Sequence, residues 1–343
     1  MKVYSPNSAD HPEYRVAALR LLHGVLARGL DPQPLLQDAG IDPQLLTDAA
    51  TGVRGQQMIR LMNTVRNALG DEFFGRTAQR SKPGSLTLMV ELGLHCDTLA
   101  AALEQMLRAD RLLTDDRVIT LHLYEDDAEL RFTRTHPELD SDDFLIDHWL
   151  LHWHRLLSWV TGYLIPLKRV DVTYSDAPTP DRLSYYACGN WQPAQPHNAL
   201  VFSRKYLTLP IVRTRHEWEE HLQQGSRGTP VWPEGNTRWS VRVRKLILQA
   251  LQNQHCPELE QIAAQLATTA QTLRRHLRDE GTGFVELRDD IRRDIAIEKL
   301  HFQRLSVNDV AGQLGFAEPR SFSRAFKQWT GVSPSAYQPD EKH

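Results

Sequence analysis

Residues 306–327 of this 343-residue chain read SVNDVAGQLGFAEPRSFSRAFK. The first half of this stretch places Val310, Ala311 and Leu314 at helical spacing, and Gly315 then allows a tight turn. The second half returns to helical spacing and carries basic side chains. A short helix, a break and a basic helix in this order predict a helix-turn-helix.

The same layout occurs upstream, at residues 260–278, which read EQIAAQLATTAQTLRRHLR. Ile262, Ala263 and Leu266 lie on one side of a short helix, and a helix with paired arginines follows the break. A helix fits the major groove of B-DNA, while the helix before it braces against the phosphate backbone. Two such units indicate binding to double-stranded DNA.

The outward face of each second helix carries side chains that suit base reading. Arginine can pair with two acceptors of guanine, glutamine pairs in the same way with adenine, and serine donates or accepts. The candidate DNA-binding residues are Gln271, Arg274 and Arg275 in the first unit and Arg320, Ser321 and Arg324 in the second.

Residues 238–338 resemble the DNA-binding domain of AraC/XylS-type transcription regulators. The family's signature runs through the second unit and continues here as QWTGVSPSAY to residue 337. The resemblance implies DNA recognition by the six candidate residues and a linker helix over Phe284–His301. In that helix Leu287, Ile291, Ile295 and Leu300 would face inward, and Arg288, Arg292 and Arg293 outward.

Two positions depart from the family's pattern. Pro319 replaces the polar or small residue that is common there, and Gln338 replaces the arginine that often ends the motif. Proline fits the first turn of a helix, where its missing N–H has no intrahelical partner. We therefore expect Pro319 to start the second recognition helix after Glu318, at the loss of one base contact.

Two other interpretations of this region were weighed. Exposed arginines on a helical bundle are often merely solvated, but two tandem copies joined by a helix favour DNA binding. A DNA-repair methyl acceptor fused to such a domain would need a cysteine-based metal site. Cys96, Cys188 and Cys256 are far apart and form no metal-ligand motif.

Charge and composition divide the chain. Residues 236–343 contain 16 Lys and Arg against 13 Asp and Glu, and the rest contains 24 against 30. Glycine and proline interrupt the helical patterns at residues 224–236. We predict an effector-sensing or dimerisation domain at residues 1–225, a linker at 226–237 and a DNA-binding domain at 238–343.

The sequence also predicts a cytoplasmic protein without membrane contact. Residues 1–10 are polar and lack the apolar segment of a signal peptide. Three unpaired cysteines suit a reducing compartment. The most apolar stretch, Phe144–Leu167, is interrupted by charged and histidine side chains that would be costly in lipid: Asp147, His148, His152, His154 and Arg155.

Residues 1–225 mix helical and alternating patterns. Alternation at residues 117–124 and 129–134 predicts a β-hairpin, and a mainly antiparallel sheet covered on one face by helices is expected. The predicted fold class is mainly α, with a small α+β sensing domain and an all-α C-terminal domain of tandem helix-turn-helix units joined by a linker helix. The remaining predicted helices are 13–28, 34–39, 54–69, 87–93, 98–112, 141–164 and 180–187, and the remaining strands are 169–174 and 199–203.

This half resembles the ligand-sensing domain of one branch of the AraC/XylS-type regulators, the branch with a helical, arabinose-binding-like N-terminal domain. The resemblance covers about residues 15–210. It rests on the pattern at 15–41, on LGL at 92–94 with the segment that starts at Thr98, and on NALVF at 198–202 with YLTLP at 206–210. It implies effector sensing or dimerisation and does not name a ligand.

One predicted helix of this half carries two candidate sites. His148 and His152 lie one turn apart and could share a metal, but the sequence supplies no third ligand and an apolar stripe runs beside them. We predict no metal and no cofactor. Trp149, Trp153 and Tyr163 are candidates for an effector pocket, against the alternative that they are core residues.

The sequence predicts a regulator and not an enzyme. It lacks a nucleophile elbow, a phosphate-binding glycine loop and a cysteine-histidine pattern. We predict a sequence-specific, ligand-responsive transcription activator. Its expected partners are double-stranded DNA, a small-molecule effector, RNA polymerase and a second copy of the chain. The alternative is a constitutive DNA-binding regulator whose N-terminal domain only oligomerises.

Overall fold

The chain forms two compact units, described in a computed structural model. The N-terminal unit comprises Ala9–Val160 and Ile165–Glu234, and the C-terminal unit comprises Gly235–His343 with Met1–Ser8 and Thr161–Leu164. The predicted linker at 226–237 and the predicted helix at 180–187 lie outside the residues that the structure describes. Those residues are 12–46, 53, 55–175, 190–223, 239–252, 256–279 and 282–338.

The N-terminal unit begins with helices whose ends follow capping signals in the sequence. The side chain of Asp31 accepts a hydrogen bond from the backbone N–H of Gln33, and the side chain of Thr98 accepts one from that of Ala101. Each predicted helix before residue 113 is confirmed to within two residues at its described ends. These helices are α1 (Pro12–Ala27), α2 (Pro32–Ala39), α3 (Gly55–Leu69), α4 (Ser85–Leu94) and α5 (Leu99–Leu113).

A five-stranded sheet follows, with the spatial order β1-β2-β5-β3-β4. The pairs β1–β2, β2–β5 and β5–β3 are antiparallel, and β3–β4 is parallel. The prediction of a mainly antiparallel sheet is confirmed. The strands are β1 (Arg117–Leu123), β2 (Asp127–Arg134), β3 (Leu167–Asp171), β4 (Trp191–Gln192) and β5 (Asn198–Ser203).

The long helix α6 (Phe144–Thr161) lies between β2 and β3 in the chain and packs against the sheet. The ring of Trp153 on α6 meets the ring of Phe132 on β2 edge-on, with 6.3 Å between centroids, and both side chains are buried. A later helix, α7 (Arg215–Gln223), carries Trp218, and the ring centres of Trp218 and Trp159 of α6 are 5.4 Å apart. Aromatic side chains of α6 therefore form much of the core of this unit.

Helix α6 starts three residues later than the sequence predicts, because Asp140 organises its first turn. The buried carboxylate of Asp140 accepts the backbone N–H of Leu145 at 3.0 Å. It also accepts from Arg76 and Arg134, each at 2.9 Å. A carboxylate at a helix N-terminus satisfies backbone donors that have no partner inside the helix.

The C-terminal unit is helical throughout its named elements. Helix α11 ends in a π-helical turn at Glu298–Phe302, inside the predicted linker helix. None of the described helices of the chain is long and apolar enough to cross a membrane. The helices of this unit are α8 (Trp239–Gln252), α9 (Leu259–Gln265), α10 (Ala270–Asp279), α11 (Phe284–Ile297), α12 (Val307–Gln313) and α13 (Pro319–Thr330).

The first helix pair of this unit, α9 and α10, closes on α8 and α11 through one apolar core. The predicted inward residues of α11 are buried at Leu287, Ile291 and Leu300, whereas Ile295 is half-buried. Burial of apolar side chains is the main stabilising term of such a small unit. The core consists of Val243, Ile247, Leu251, Leu259, Ile262, Ala263, Leu273, Leu277, Phe284, Leu287 and Ile291.

The expected outward direction of the three α11 arginines is wrong for Arg293, which is 3% exposed. Its guanidinium donates to Asp290 at 2.8 Å and to Asp294 at 2.9 Å. Asp294 in turn accepts from Arg244 of α8 at 3.1 Å. The helix turns this arginine inward because two carboxylates are available there to neutralise it. Burial alone would lower the pKa of Arg293, but Asp294 and Asp290 outweigh it and raise that pKa.

Candidate nucleic-acid interface and cavity

Each of the two helix pairs, α9–α10 and α12–α13, bends at a turn that is closed by the same backbone hydrogen bonds. This repeated pattern caps the last carbonyls of a short helix and sends the chain into the next one. In the first turn the bonds run from Leu266 N to Ile262 O at 3.1 Å and from Thr268 N to Ala263 O at 3.0 Å. In the second they run from Leu314 N to Val310 O and from Phe316 N to Ala311 O, both at 3.0 Å.

The residue after the capping leucine has a left-handed backbone in both turns. Gly315 has φ 74° in the second turn, and Ala267 has φ 52° in the first. Glycine adopts this conformation without steric cost, whereas the Cβ of alanine approaches the carbonyl oxygen. The first turn is therefore the more strained of the two.

We expect Ala267→Gly to stabilise the C-terminal unit by about 0.5–1 kcal/mol and Gly315→Ala to destabilise it by about 1 kcal/mol. A methyl group at position 315 would meet the Cβ of Cys256 at 3.6 Å, an ordinary contact, so the cost there is conformational. Hydrogen exchange of backbone amides in the full chain measures both changes locally. Changes of the same sign in both variants would contradict the assignment of strain to φ.

Helix α10, the second helix of the first pair, presents the predicted residues to solvent. Gln271, Arg274 and Arg275 are all exposed, while the intervening Leu273 is fully buried. Nη2 of Arg274 lies 3.7 Å from Glu260, but both side chains are exposed, and such surface pairs contribute little. Arg274 is therefore available to a phosphate or a base edge.

Helix α13, the second helix of the second pair, has a comparable arrangement. Arg320 and Arg324 are exposed and Ser321 is half-buried, while Phe322 is fully buried. Pro319 is the first residue of this helix, as predicted from its position after Glu318. Both helices thus bury one apolar face and leave a polar face open.

The other two arginines of α11, which are expected to face outward, are partly covered. Arg288 and Arg292 are half-buried, and the guanidinium of Arg292 lies 4.8 Å from the ring centre of Phe316. Burial lowers the pKa of Arg292. Because Phe316 is part of the second turn, Arg292 braces that turn by a cation–π contact. Sequence periodicity alone gave no sign of this role.

The N-terminal unit contains a cavity of about 470 Å³. It is lined by the C-terminal ends of α3 and α5, by α6 and by the start of β1. The loop that precedes α4 and the first turn of α4 also line it. Its walls combine apolar side chains with charged ones. The principal lining residues are Arg66, Glu72, Phe73, Met89, Asp110, Leu113, Arg117, His148, Trp149 and His152.

The two carboxylates of the cavity are engaged by donors of the protein. Asp110 accepts two hydrogen bonds from Arg117, one of them from Nε at 3.3 Å. Glu72 accepts the backbone N–H groups of Gly84 at 2.8 Å and Leu86 at 3.0 Å, at the start of α4. Burial raises the pKa of Glu72. Both carboxylates thus have structural roles in the cavity wall.

The two histidines of α6 that could share a metal lie in this wall, with ring centres 6.1 Å apart. Burial, and then the nearby Arg66, lower the pKa of His148 to about 3, and burial lowers that of His152 well below its usual value. Both imidazoles are neutral at pH 7. In the described part of the chain, no group of three or more His, Cys, Asp or Glu side chains is placed to hold a metal.

Of the three predicted pocket residues, the structure brings Trp149 to the cavity. The guanidinium carbon of Arg117 lies over its ring, 4.8 Å from the ring centre. Trp153 points to the sheet and contacts Phe132, and Tyr163 lies in the short segment that belongs to the C-terminal unit. Sequence reasoning missed Arg66, Glu72 and Arg117, whose separate chain positions gave no shared motif.

Two protein families match separate parts of the chain. A family described as "Arabinose-binding domain of AraC transcription regulator, N-term" matches residues 29–211, and a helix-turn-helix domain family matches residues 262–339. The ornithine utilization regulator of Pseudomonas aeruginosa is 26% identical over 323 residues, which are 92% of this chain and 93% of that protein.

Two further similarities were found. The urease operon transcriptional activator of Escherichia coli is 37% identical over 79 residues, covering 23% of this chain and 27% of that protein. The crystal structure of the transcriptional regulator CdpR from Pseudomonas aeruginosa is 20% identical with a TM-score of 0.30, and covers 96% of this chain and 99% of that one.

Proposed function

The chain belongs to the AraC family of transcription regulators, and we propose that this DNA-binding regulator is a ligand-responsive activator that reads its operator through α10 and α13. The observation that carries this proposal is the repeated turn. Two helix pairs share the same closing hydrogen bonds, and the second helix of each pair carries exposed arginines. Such helices fit the major groove, where their first residues contact base edges.

In this proposal the two recognition helices enter successive major grooves on one face of DNA, about 34 Å or one helical turn apart. Helix α11 acts as the spacer, held to α8 by the Asp294–Arg244 pair. The base contacts are made by Gln271, Arg274 and Arg275 from α10 and by Arg320, Ser321 and Arg324 from α13. Other basic groups of the unit contact phosphates and supply salt-dependent affinity.

The N-terminal unit supplies the ligand response. Its cavity, at about 470 Å³, lies within the usual size range of small-molecule sites. A ligand there acts by binding one arrangement of the protein more tightly than another, which shifts their populations. Relatives are named as a regulator of ornithine utilization and an activator of the urease operon. We propose activation here too, with RNA polymerase as partner and a homodimer as the active form.

We expect Arg320→Ala and Arg274→Ala each to weaken binding at the cognate operator by about 1–3 kcal/mol, which is roughly 5- to 150-fold. Each loss should relax base preference at one position, because a bidentate pair to guanine would be removed. Competition gel shifts against operators with single base changes measure both effects. The matched control is Lys327→Ala, an exposed change in the last turn of the same helix as Arg320.

The operator itself is to be found by footprinting the full chain on DNA upstream of its own gene and its neighbours. Two protected major-groove segments about one helical turn apart are expected. If both arginine variants weaken binding equally on cognate and random DNA, those side chains contact phosphates and not bases. A footprint of a single groove would remove the second recognition helix from the proposal.

A further inference from the structure

The cavity of the N-terminal unit has a chemical preference. We infer that it binds a small organic acid, whose carboxylate lies beside Arg66, His148 and Trp149 and whose body lies against the apolar wall. This inference rests on the proposed function, because it names the chemical class of the effector. It follows from three properties of the wall: an unused donor, carboxylates that already accept hydrogen bonds from the protein, and an apolar surface.

The unused donor is the indole nitrogen of Trp149. This side chain is 2% exposed, and Nε1 has no hydrogen-bond partner among the described residues. A buried donor without a partner costs about 1–3 kcal/mol. Such a group in the wall of a cavity is satisfied when a ligand brings an acceptor. Carboxylate oxygens accept the strongest hydrogen bonds of this kind.

His148 supplies a second polar group next to this donor. Within the described residues it contacts the rings of Phe74, Phe144 and His152 but makes no hydrogen bond. A neutral imidazole carries one N–H and one acceptor nitrogen. Trp149 follows His148 directly in α6, and both line the cavity. The same wall therefore carries the side chain of Trp149 and an imidazole that can donate from one ring nitrogen.

The charged groups of the wall differ in how far they are already engaged. Two arginines, Arg66 and Arg117, and two carboxylates, Asp110 and Glu72, line the cavity, so the formal charges balance. Asp110 is held by Arg117, and Glu72 accepts two backbone N–H groups at the start of α4. The carboxylates thus already accept from the protein, whereas Trp149 still has a proton to donate. A cationic ligand would meet two arginines and find neither carboxylate without a donor.

A large part of the remaining wall is apolar. Phe73, Met89, Leu113 and Leu222 line it, together with the ring of Trp149. Apolar surface that is buried against such walls stabilises a complex by about 25 cal/mol per Å². A purely ionic ligand, such as inorganic phosphate, would leave this surface without a partner. The combination of a donor cluster and an apolar wall fits a carboxylate with a hydrocarbon body.

The test uses the full chain and a set of sodium carboxylates: propionate to decanoate, benzoate, phenylacetate and 4-hydroxybenzoate. Each acid is paired with its primary amide, which keeps the shape and removes the charge, and is measured at constant ionic strength by thermal shift and calorimetry. We expect one or more acids to stabilise the protein and to bind at least about tenfold more tightly than their amides.

Trp149→Phe keeps an aromatic ring and removes the donor, so it should weaken binding of the acid about tenfold or more. Trp153→Phe is the matched control, since Trp153 is equally buried on the same helix, has an unpartnered Nε1 among the described residues and packs against Phe132 outside the cavity. It should leave affinity for the acid unchanged. Equal losses in both variants would overturn the placement of the carboxylate.

Failure of this inference is separable from failure of the proposed function. If no acid binds, or if amides or primary amines bind as tightly, the ligand class is wrong, while operator footprinting still reports on DNA recognition. If an acid binds as expected but the footprint shows no sequence preference, the regulator proposal fails and the cavity assignment stands.

Discussion

Arg293→Met is expected to destabilise the C-terminal unit by about 3 kcal/mol, because it removes the arginine that Asp290 accepts from and one of the two arginines that Asp294 accepts from. Arg293 is 3% exposed and donates to both Asp290 and Asp294. Methionine fills much of the space, so the loss is electrostatic and not a cavity effect. A typical domain has only about 5–15 kcal/mol of stability. The loss of stability should therefore also lower DNA binding, whatever the sequence of the DNA.

The measurement is urea unfolding combined with amide hydrogen exchange across residues 284–302 in the full chain. Arg278→Met, an exposed change in the same unit, is the control and should alter stability by no more than about 0.5 kcal/mol. The triple variant Arg293→Met, Asp290→Asn, Asp294→Asn should recover much of the loss, because it removes the unpaired charges. A triple variant no more stable than Arg293→Met would show that packing, and not charge, explains the effect.

Lowering the pH from 7 to 5 is expected to destabilise the N-terminal unit by several kcal/mol. Burial, which is the largest cause for each, lowers the pKa of His148 to about 3 and those of His154 and His221 to about 4. In the unfolded chain these groups titrate near 6.5. The unfolded state therefore takes up protons first, and stability falls between pH 6.5 and about 4. Each histidine contributes about 2 kcal/mol to the loss at pH 5.

Denaturant unfolding at a series of pH values, followed by hydrogen exchange in peptides of this unit, measures the expected slope. His154→Asn removes one titrating group and should reduce the slope between pH 6 and 5 by about one proton. Its ring nitrogen lies 2.8 Å from the carbonyl oxygen of Ile165, so the variant is also less stable at pH 7. His216→Asn, at an exposed position of α7, is the control substitution. Stability that is flat from pH 7 to 5 would contradict the buried neutral state.

The helix pairs were predictable because their signals are local. Apolar spacing, a glycine and a proline at a helix start lie within twenty residues of each other, and no distant contact is needed to interpret them. Pro319 and Gly315 take the positions that their backbone preferences require. The left-handed Ala267 had no such signal, since alanine is not the residue that this conformation favours.

The cavity was only partly predictable, because its chemistry comes from separate elements. Trp149 and Trp153 lie four residues apart on one apolar stripe of α6, and periodicity treats them alike. The structure separates them: Trp149 meets Arg117, and Trp153 meets Phe132. Arg292 and Arg293 of the C-terminal unit could not be told apart from the sequence either. Arg293 pairs with Asp290 and Asp294, whereas Arg292 lies over the ring of Phe316.

The π-helical turn at Glu298–Phe302 makes this part of the spacer tolerant of a change in length. A π turn accommodates one residue more than the α-helix that it interrupts. Deleting one residue there would restore a regular α-helix and leave α13 with nearly the same direction. A deletion within the α-helical part of α11 has no wide turn to absorb it, and each α-helical residue rotates the chain by about 100°. In the arrangement proposed above, only the second deletion turns α13 away from its groove while every base-contacting side chain stays the same.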